Sequence, residues 1–225
     1  MKEILFKDKG LKIFLLLTTL LLLLEFKNFL LFHLGVELFS IIIAFSIFII
    51  VINIKKIADN DHLIFLGLAY GFIAGLDLLH TLSYKGMSVI EAGANIPTQL
   101  WIAARYLEAV CLLGSFYYLK HKLDQKRTII AFSVINTIII TAIFTGYFPD
   151  CLVANEGLTT FKIVSEYIII ALLLVTGFFL YYYRSYFTKK SHTFLTLALI
   201  TTIGAEFFFT LYIDVFGLSN VIGHI

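Results

Sequence analysis

The stretch that decides the fold is residues 62–83, HLIFLGLAYGFIAGLDLLHTLS. As a helix rising about 1.5 Å per residue, it is long enough to cross the roughly 30 Å hydrocarbon core of a bilayer. Beyond its first residue, its acidic and basic side chains are Asp77 and His80, both near one end. Ionisable groups are costly in hydrocarbon, so they persist where they line a cavity, pair or bind something. This segment therefore predicts both a membrane-spanning helix and a polar site.

Similar apolar segments recur along the whole chain. Its 225 residues are 60% hydrophobic and 14% charged, with a mean hydropathy of +0.95. Soluble domains have about 45–50% apolar and roughly 25% charged residues, so the composition excludes that class. We predict an all-α polytopic membrane helical bundle, with residues 1–225 as a single integral membrane domain. An eighth span begins near Asn220, after seven complete spans at 10–27, 30–54, 62–83, 98–119, 128–148, 162–183 and 193–214.

Basic residues are concentrated at alternate ends of these spans. One set of ends carries Lys2, Lys7, Lys9, Lys12, Lys55, Lys56, Lys120, Lys122, Lys126, Arg127, Arg184, Lys189 and Lys190. The other set carries Lys27, Lys85 and Lys162. By the positive-inside rule, the first set and the N-terminus are cytoplasmic. The sequence stops within the predicted eighth span, so we expect a module of a longer protein.

Polar residues in the spans share a depth, near the ends that face away from the cytoplasm. His33 and Glu37 are four residues apart and Asp77 and His80 are three apart, so each pair shares a helix face. The candidate ligand-binding or metal-binding residues are His33, Glu37, Asp77, His80 and His224. A supporting polar network is predicted from Lys85, Trp101, Arg105, Glu108, Glu166 and Glu206. No catalytic residue is predicted.

The residue types leave several occupants open. Histidines and carboxylates from separate helices suit a transition metal ion, whereas haem needs axial histidines. An organic ligand needs a pocket with a few polar groups. The same residues can also serve only as structural hydrogen bonds and ion pairs between helices. The sequence therefore leaves the cofactor unknown, with a transition metal ion and haem as candidates.

Three further expectations concern residues outside this constellation. His62, His121 and His192 lie beside basic residues at cytoplasmic ends, where we expect them to be solvated. Cys111 and Cys151 are not expected to form a disulfide, and Cys151 should react with an impermeant thiol reagent from outside. We predict a glycine groove at Gly67, Gly71 and Gly75. We interpret it as a surface for packing within the chain rather than as a dimer interface.

Several segments carry a family resemblance. They are Phe32-His33, Glu37-Leu38-Phe39-Ser40, LDLLHTLSYKGM at 76–87, QLWIAARY at 99–106, FPDC at 148–151, GLTTFK at 157–162, SEY at 165–167 and Gly223-His224. Together they resemble the third class of bacterial membrane-associated sensor domains, although Thr160 stands where a proline is expected. The resemblance implies a non-enzymatic input module ahead of a histidine kinase, diguanylate cyclase or phosphodiesterase. A PAS domain often connects the two in such proteins.

We therefore expect a signal-input domain that senses a metal ion or small ligand in a polar pocket on the extracytoplasmic side. It would relay the signal to a cytoplasmic kinase, PAS or cyclase domain of the same chain, in a two-component or cyclic-di-GMP pathway. The alternative is a haem-binding or metal-binding membrane redox protein. The expected location is the bacterial inner membrane, multi-pass, in a homodimer that contacts the lipid bilayer and no nucleic acid.

Overall fold

A computed structural model describes residues 9–53, 60–87, 89–210 and 218–224. The prediction of an all-α polytopic bundle is confirmed, because each predicted span is occupied by a helix. The helices are α1 Lys9–Glu25, α2 Phe29–Asn53, α3 Asp61–Ser83, α4 Asn95–Ser115, α5 Gln125–Phe144, α6 Thr160–Tyr182, α7 Lys189–Thr210 and α8 Leu218–Gly223. Short 3-10 turns follow α4 and α6, at Phe116–Leu119 and Arg184–Tyr186.

The number of full-length spans differs from the prediction at α1. Six helices, α2 to α7, are long and apolar enough to cross a membrane within the described part of the chain. The described part of α1 has 17 residues and ends at Glu25 rather than at residue 27. Residues 211–214 of the predicted seventh span, and Lys2, Lys7, Lys55 and Lys56, lie outside the described residues.

Several helix boundaries depart from the predicted spans, and two of them have clear local reasons. The fourth helix begins at Asn95 rather than at residue 98, because Pro97 is tolerated in a first turn that needs no backbone N–H. The fifth helix ends at Phe144 rather than at residue 148. There the chain turns through Gly146 with a φ of 77°, a conformation that glycine adopts without steric cost.

The centre of the bundle is formed by α3 and α4, which have the largest buried fractions of the six long helices. Helix α2 packs on α3, with α1 outside it, and α6 packs on α4, with α7 outside it. Helix α5 covers α3 and α4 from another side, and the short α8 packs on α7. This arrangement leaves α2, α3, α4, α7 and α8 facing a common interior region.

The glycines of α3 let α2 approach closely. A Cβ at Gly67 would overlap Val51, and one at Gly71 would overlap the Phe48 ring. At Gly75 a Cβ would meet nothing within 4 Å. The first two glycines are therefore packed within the chain, as interpreted from the sequence, whereas the third is not in the contact.

We expect Gly71→Ala to lower the stability of the bundle by about 1–3 kcal/mol, because the added methyl group forces the Phe48 ring to move. Gly75→Ala should leave stability unchanged or raise it by up to about 1 kcal/mol through helix propensity. A thiol-reactive dye can follow thermal unfolding in mild detergent, since Cys111 and Cys151 are both buried. Equal midpoints for the two variants would contradict the packing role of Gly71.

A small hairpin, absent from the sequence prediction, lies between α5 and α6. Its strands β1, Leu152–Val153, and β2, Gly157–Leu158, pair antiparallel. Asn95 at the start of α4 fixes this loop, because its Oδ1 accepts from the backbone N–H groups of Cys151 and Leu152 at 2.9 and 3.0 Å. The hairpin packs on Tyr84 and Phe209, and so lies over the end of the bundle where the polar residues gather.

Cys151 is enclosed by this loop. Its side chain has no solvent exposure, and burial raises the pKa of its thiol to about 12. Cys111 and Cys151 are both free. Because only an accessible thiolate reacts quickly, a Cys placed at an exposed position of this loop, rather than Cys151 itself, is the suitable target for the impermeant reagent. The orientation of the loop stays a prediction.

Candidate functional site

Four of the polar residues predicted as ligands meet at one end of the bundle. His33 and Glu37 lie one turn apart on α2, His80 lies near the end of α3, and His224 follows α8. Ligand atoms of His33, Glu37 and His224 lie within 4.8 Å of one another. The His224 Nε2 is 3.3 Å from the Glu37 Oε1. We refer to His33, Glu37, His80 and His224 as the histidine cluster.

His33 lies at the centre of the cluster. Its side chain is fully buried and its ring stacks on Tyr84, with 3.8 Å between the ring centroids. The rings of His224 and His80 lie 4.9 and 5.5 Å away. Neither ring nitrogen of His33 has a hydrogen-bond partner among the described residues. A buried polar atom left unpaired costs about 1–3 kcal/mol, so both nitrogens are available to a ligand.

His80 is held in one tautomer. Its Nδ1 lies 2.7 Å from the Pro97 carbonyl oxygen, and since a carbonyl only accepts, Nδ1 carries the proton. The lone pair is then on Nε2, for which the described part of the chain provides no hydrogen-bond partner. A backbone carbonyl that orients an imidazole in this way is the usual support of a metal-binding histidine.

A charge network lies beside the cluster, one to two turns further into the bundle. The Arg105 guanidinium donates to both oxygens of Asp77 at 2.8 Å and to Glu108 at 2.5 Å. Tyr70 donates to the second oxygen of Glu108 at 3.1 Å. The guanidinium also lies over the Trp101 ring, 4.6 Å from its centroid. Arg105 is therefore paired with two carboxylates, as its depth in the membrane requires.

A cavity of about 570 Å³ joins this network to the cluster. Its polar wall includes Glu37, Tyr70, Asp77, Trp101, Arg105, Glu108, Glu206 and His224. The remaining wall is mostly apolar and comes from α1, α2 and α7. The volume falls in the range of about 300–1,000 Å³ that small-molecule sites occupy.

A second buried charge group lies between α6 and α7. Lys162 is fully buried, pairs with Glu166 at 2.8 Å and donates to the Phe209 carbonyl at 2.5 Å. The carboxyl group of Glu206 is close enough to that of Glu166 to interact with it. From the sequence, Lys162 is only one of the basic residues that set the membrane orientation. In the structure it connects the start of α6 to the end of α7.

The other predicted residues are distributed around the cluster. Asp77 is engaged by Arg105 and lies on the cavity wall rather than in the cluster. Lys85 is exposed in the turn after α3, outside both the cluster and the cavity. Glu166 lies behind the cavity, with Lys162. Trp101, Arg105, Glu108 and Glu206 line the cavity.

Sequence reasoning missed Tyr70 and Tyr84. Tyr84, which follows α3 directly, is buried against His33. Its four-residue separation from His80 predicts a shared helix face, and so does the seven-residue separation of Tyr70 from Asp77. Those spacings were the available signal.

One expectation about the opposite end of the bundle is wrong. His62 is 3% exposed, and its Nδ1 lies 3.0 Å from the Ser115 carbonyl oxygen. It therefore links α3 to the end of α4 rather than facing solvent. His121 is exposed, as predicted.

The chain was compared with known proteins. Residues 24–225 match the family model MASE3, described as a membrane-associated sensor domain. No curated protein and no solved structure matches the chain. The match covers nearly all of the residues from α2 onward, including every member of the histidine cluster. The chain therefore belongs to the MASE3 family of membrane-associated sensor domains.

Proposed function

We propose that this sensor domain detects a transition metal ion at the histidine cluster and relays its binding to a cytoplasmic signalling domain. One observation carries the proposal. Two imidazoles and a carboxylate from separate parts of the chain place ligand atoms within 4.8 Å of one another in a buried position. The His80 ring lies next to that of His33, with 5.5 Å between the centroids, and its Nε2 has no hydrogen-bond partner among the described residues.

The donor set suits a borderline metal ion. Imidazole and carboxylate bind Zn²⁺, and imidazole also suits Cu²⁺, Ni²⁺ and iron, whereas Ca²⁺ and Mg²⁺ prefer oxygen ligands alone. Around a tetrahedral Zn²⁺ at 2.0–2.1 Å, donor atoms lie about 3.4 Å apart. The ligand atoms of His33, Glu37 and His224 lie within 4.8 Å of one another. Changes in side-chain torsion angles can bring them to the separation of about 3.4 Å that the ion needs.

Haem is the less well supported occupant. Axial ligands must stand on opposite faces of a porphyrin, with the macrocycle between them. In the cluster the ring of His33 lies against those of His224 and His80, at centroid distances of 4.9 and 5.5 Å. Tyr84 stacks on the ring of His33. This packing favours an ion over a planar cofactor.

The relay rests on where His224 lies. His33 and Glu37 belong to α2, whereas His224 follows α8 and contacts Phe209 of α7 and Trp101 of α4. An ion bound by all three would favour arrangements that hold the end of the chain against α2. A ligand shifts such an equilibrium only by its differential affinity for the two arrangements.

We place this module in a bacterial inner membrane with its N-terminus in the cytoplasm, on the strength of the charge asymmetry. The proposed partner is a kinase, PAS or cyclase domain in the same chain, within a homodimer. On this proposal the described module has no catalytic activity of its own. The histidine cluster then faces the extracytoplasmic half of the bilayer.

The proposal is tested by titrating metal-stripped protein in mild detergent with Co²⁺, whose visible absorption reports imidazole coordination. His33→Ala should lose affinity by at least about 100-fold, because losing a ligand costs no less than losing the partner that orients it. The matched control is His121→Ala, since His121 is exposed at the opposite end. Elemental analysis and an absorption spectrum of the protein as purified complete the experiment. Equal Co²⁺ affinity in all three proteins would contradict a metal site, and a Soret band lost in His33→Ala would favour the haem alternative.

A further inference from the structure

The cavity beside the histidine cluster carries hydrogen-bonding groups of its own. Trp101, Arg105 and Glu206 line it, and Nε1 of Trp101, Nε of Arg105 and Oε2 of Glu206 are buried with no hydrogen-bond partner within residues 9–53, 60–87, 89–210 and 218–224. Glu206 is only 1% exposed. Buried polar groups cost free energy unless they are paired. The cavity therefore offers two N–H donors and one oxygen to a bound molecule.

The charges around these groups select the kind of molecule. The Arg105 guanidinium is already offset by Asp77 and Glu108, at 2.8 and 2.5 Å. The carboxyl groups of Glu37 and Glu206 also line the cavity. A carboxylate or phosphate head group would add negative charge to a region with more carboxylates than cations, which is unfavourable at low dielectric. The two donors instead suit the oxygen of a neutral carbonyl.

The apolar wall indicates how such a molecule would arrive. It includes Leu17 and Leu21 of α1 and Ile43 and Ile47 of α2. Ile43 and Ile47 are 44% and 39% exposed, so this wall continues onto the outer surface of the bundle, which faces lipid. A molecule dissolved in the bilayer can place an apolar tail along α1 and α2 and bring its head to Trp101.

We propose that the cavity binds an isoprenoid quinone, a neutral and lipid-soluble carbonyl compound. A ring carbonyl accepts hydrogen bonds from the Trp101 indole N–H and the Arg105 Nε–H. Its isoprenoid tail lies along the wall formed by α1 and α2. This site adjoins the proposed metal site, since Glu37 and His224 belong to both, but its head group is held at Trp101 and Arg105. The inference concerns binding alone and includes no electron transfer.

The chain contains its own reporter, because Trp101 is its only tryptophan. Short-tailed benzoquinone and naphthoquinone are titrated into the protein in lipid nanodiscs, and quenching of tryptophan fluorescence is measured. We expect saturable quenching by at least one of them. Ala44→Phe on α2 and Thr202→Phe on α7 fill the cavity. Each should raise the quinone concentration needed for half-maximal quenching by at least about tenfold, since affinity depends on burying the head group.

Ala131→Phe is the matched control, because Ala131 is exposed on α5 and does not line the cavity. Quinone should quench the fluorescence of this variant as it quenches that of the wild type. A saturated fatty acid, which shares the apolar tail but has an anionic head, should not displace the quinone. The proposal would be overturned if quenching rose linearly with quinone concentration without saturating. It would also be overturned if the wild type and both cavity-filling variants were quenched at the same quinone concentrations. Displacement by the fatty acid would contradict the inference that the site selects a neutral head group. This outcome does not depend on the result of the metal titration.

Discussion

Arg105→Leu is expected to destabilise the bundle by about 3–5 kcal/mol, because it leaves two buried carboxylates without their cation. Arg105 donates to Asp77 at 2.8 Å and to Glu108 at 2.5 Å, and the side chains of all three are less than 15% exposed. The carboxylates must then remain unpaired or take up protons, and either change costs free energy in a membrane interior. The measurement is the midpoint of thermal unfolding, followed with a thiol-reactive dye on the buried cysteines.

Arg127→Leu is the control for removing an arginine from an ion pair. Arg127 pairs with Asp124 at 3.2 Å, but the two side chains are 89% and 54% exposed. Such a pair is worth about 0–1 kcal/mol, so its loss should be barely measurable. Adding Asp77→Asn and Glu108→Gln to Arg105→Leu removes the unpaired charges and should recover most of the lost stability. A small effect of Arg105→Leu, comparable to that of Arg127→Leu, would show that the network is not a structural element.

The spans could be predicted because each one requires a long apolar run, and the physics of the bilayer imposes that length. The α1 helix is the exception. Glu25, Lys27 and Asn28 end it early, and the side chain of Asn28 accepts from the backbone N–H of Leu31 at the start of α2. The β1–β2 hairpin could not be predicted, since two-residue strands carry no alternation to read.

The candidate site was accessible from the sequence through depth and spacing. Ionisable residues at one level of several helices had to meet if the bundle was closed, and His33, Glu37 and His80 do meet. The sequence could not show that Asp77 pairs with Arg105 instead of binding a ligand. The spacing of residues within one helix does not tell which neighbouring helix a side chain faces. Nor could the sequence place Lys162 in the interior. Its ion pair with Glu166, four residues later, and the Phe209 carbonyl together offset the cost of burial.

In a full-length chain with its effector domain, His224→Ala is expected to abolish the response to metal even at saturating concentrations. On the proposed mechanism, His224 is the cluster member that connects bound metal to the end of the module. His33, Glu37 and His80 can still retain an ion weakly without it. Allosteric coupling between two sites is typically worth about 1–3 kcal/mol, a change of roughly 5–150-fold in the controlled equilibrium. Losing His224 should therefore remove the 5–150-fold change in effector output that metal binding would otherwise cause.

His33→Ala provides the decisive contrast, since it removes a ligand but leaves His224 in place. Its response should reappear at metal concentrations at least about 100-fold higher, because only affinity is reduced. The measurement is kinase or cyclase output in membranes across a metal titration, with His121→Ala as the control at the exposed, opposite end. Two results would contradict the relay: a His224→Ala curve merely displaced like that of His33→Ala, or wild-type output in both variants. The first would make His224 an ordinary ligand. The second would leave the cluster as a hydrogen-bonded part of the bundle, because a residue that transmits a signal cannot be removed without changing it.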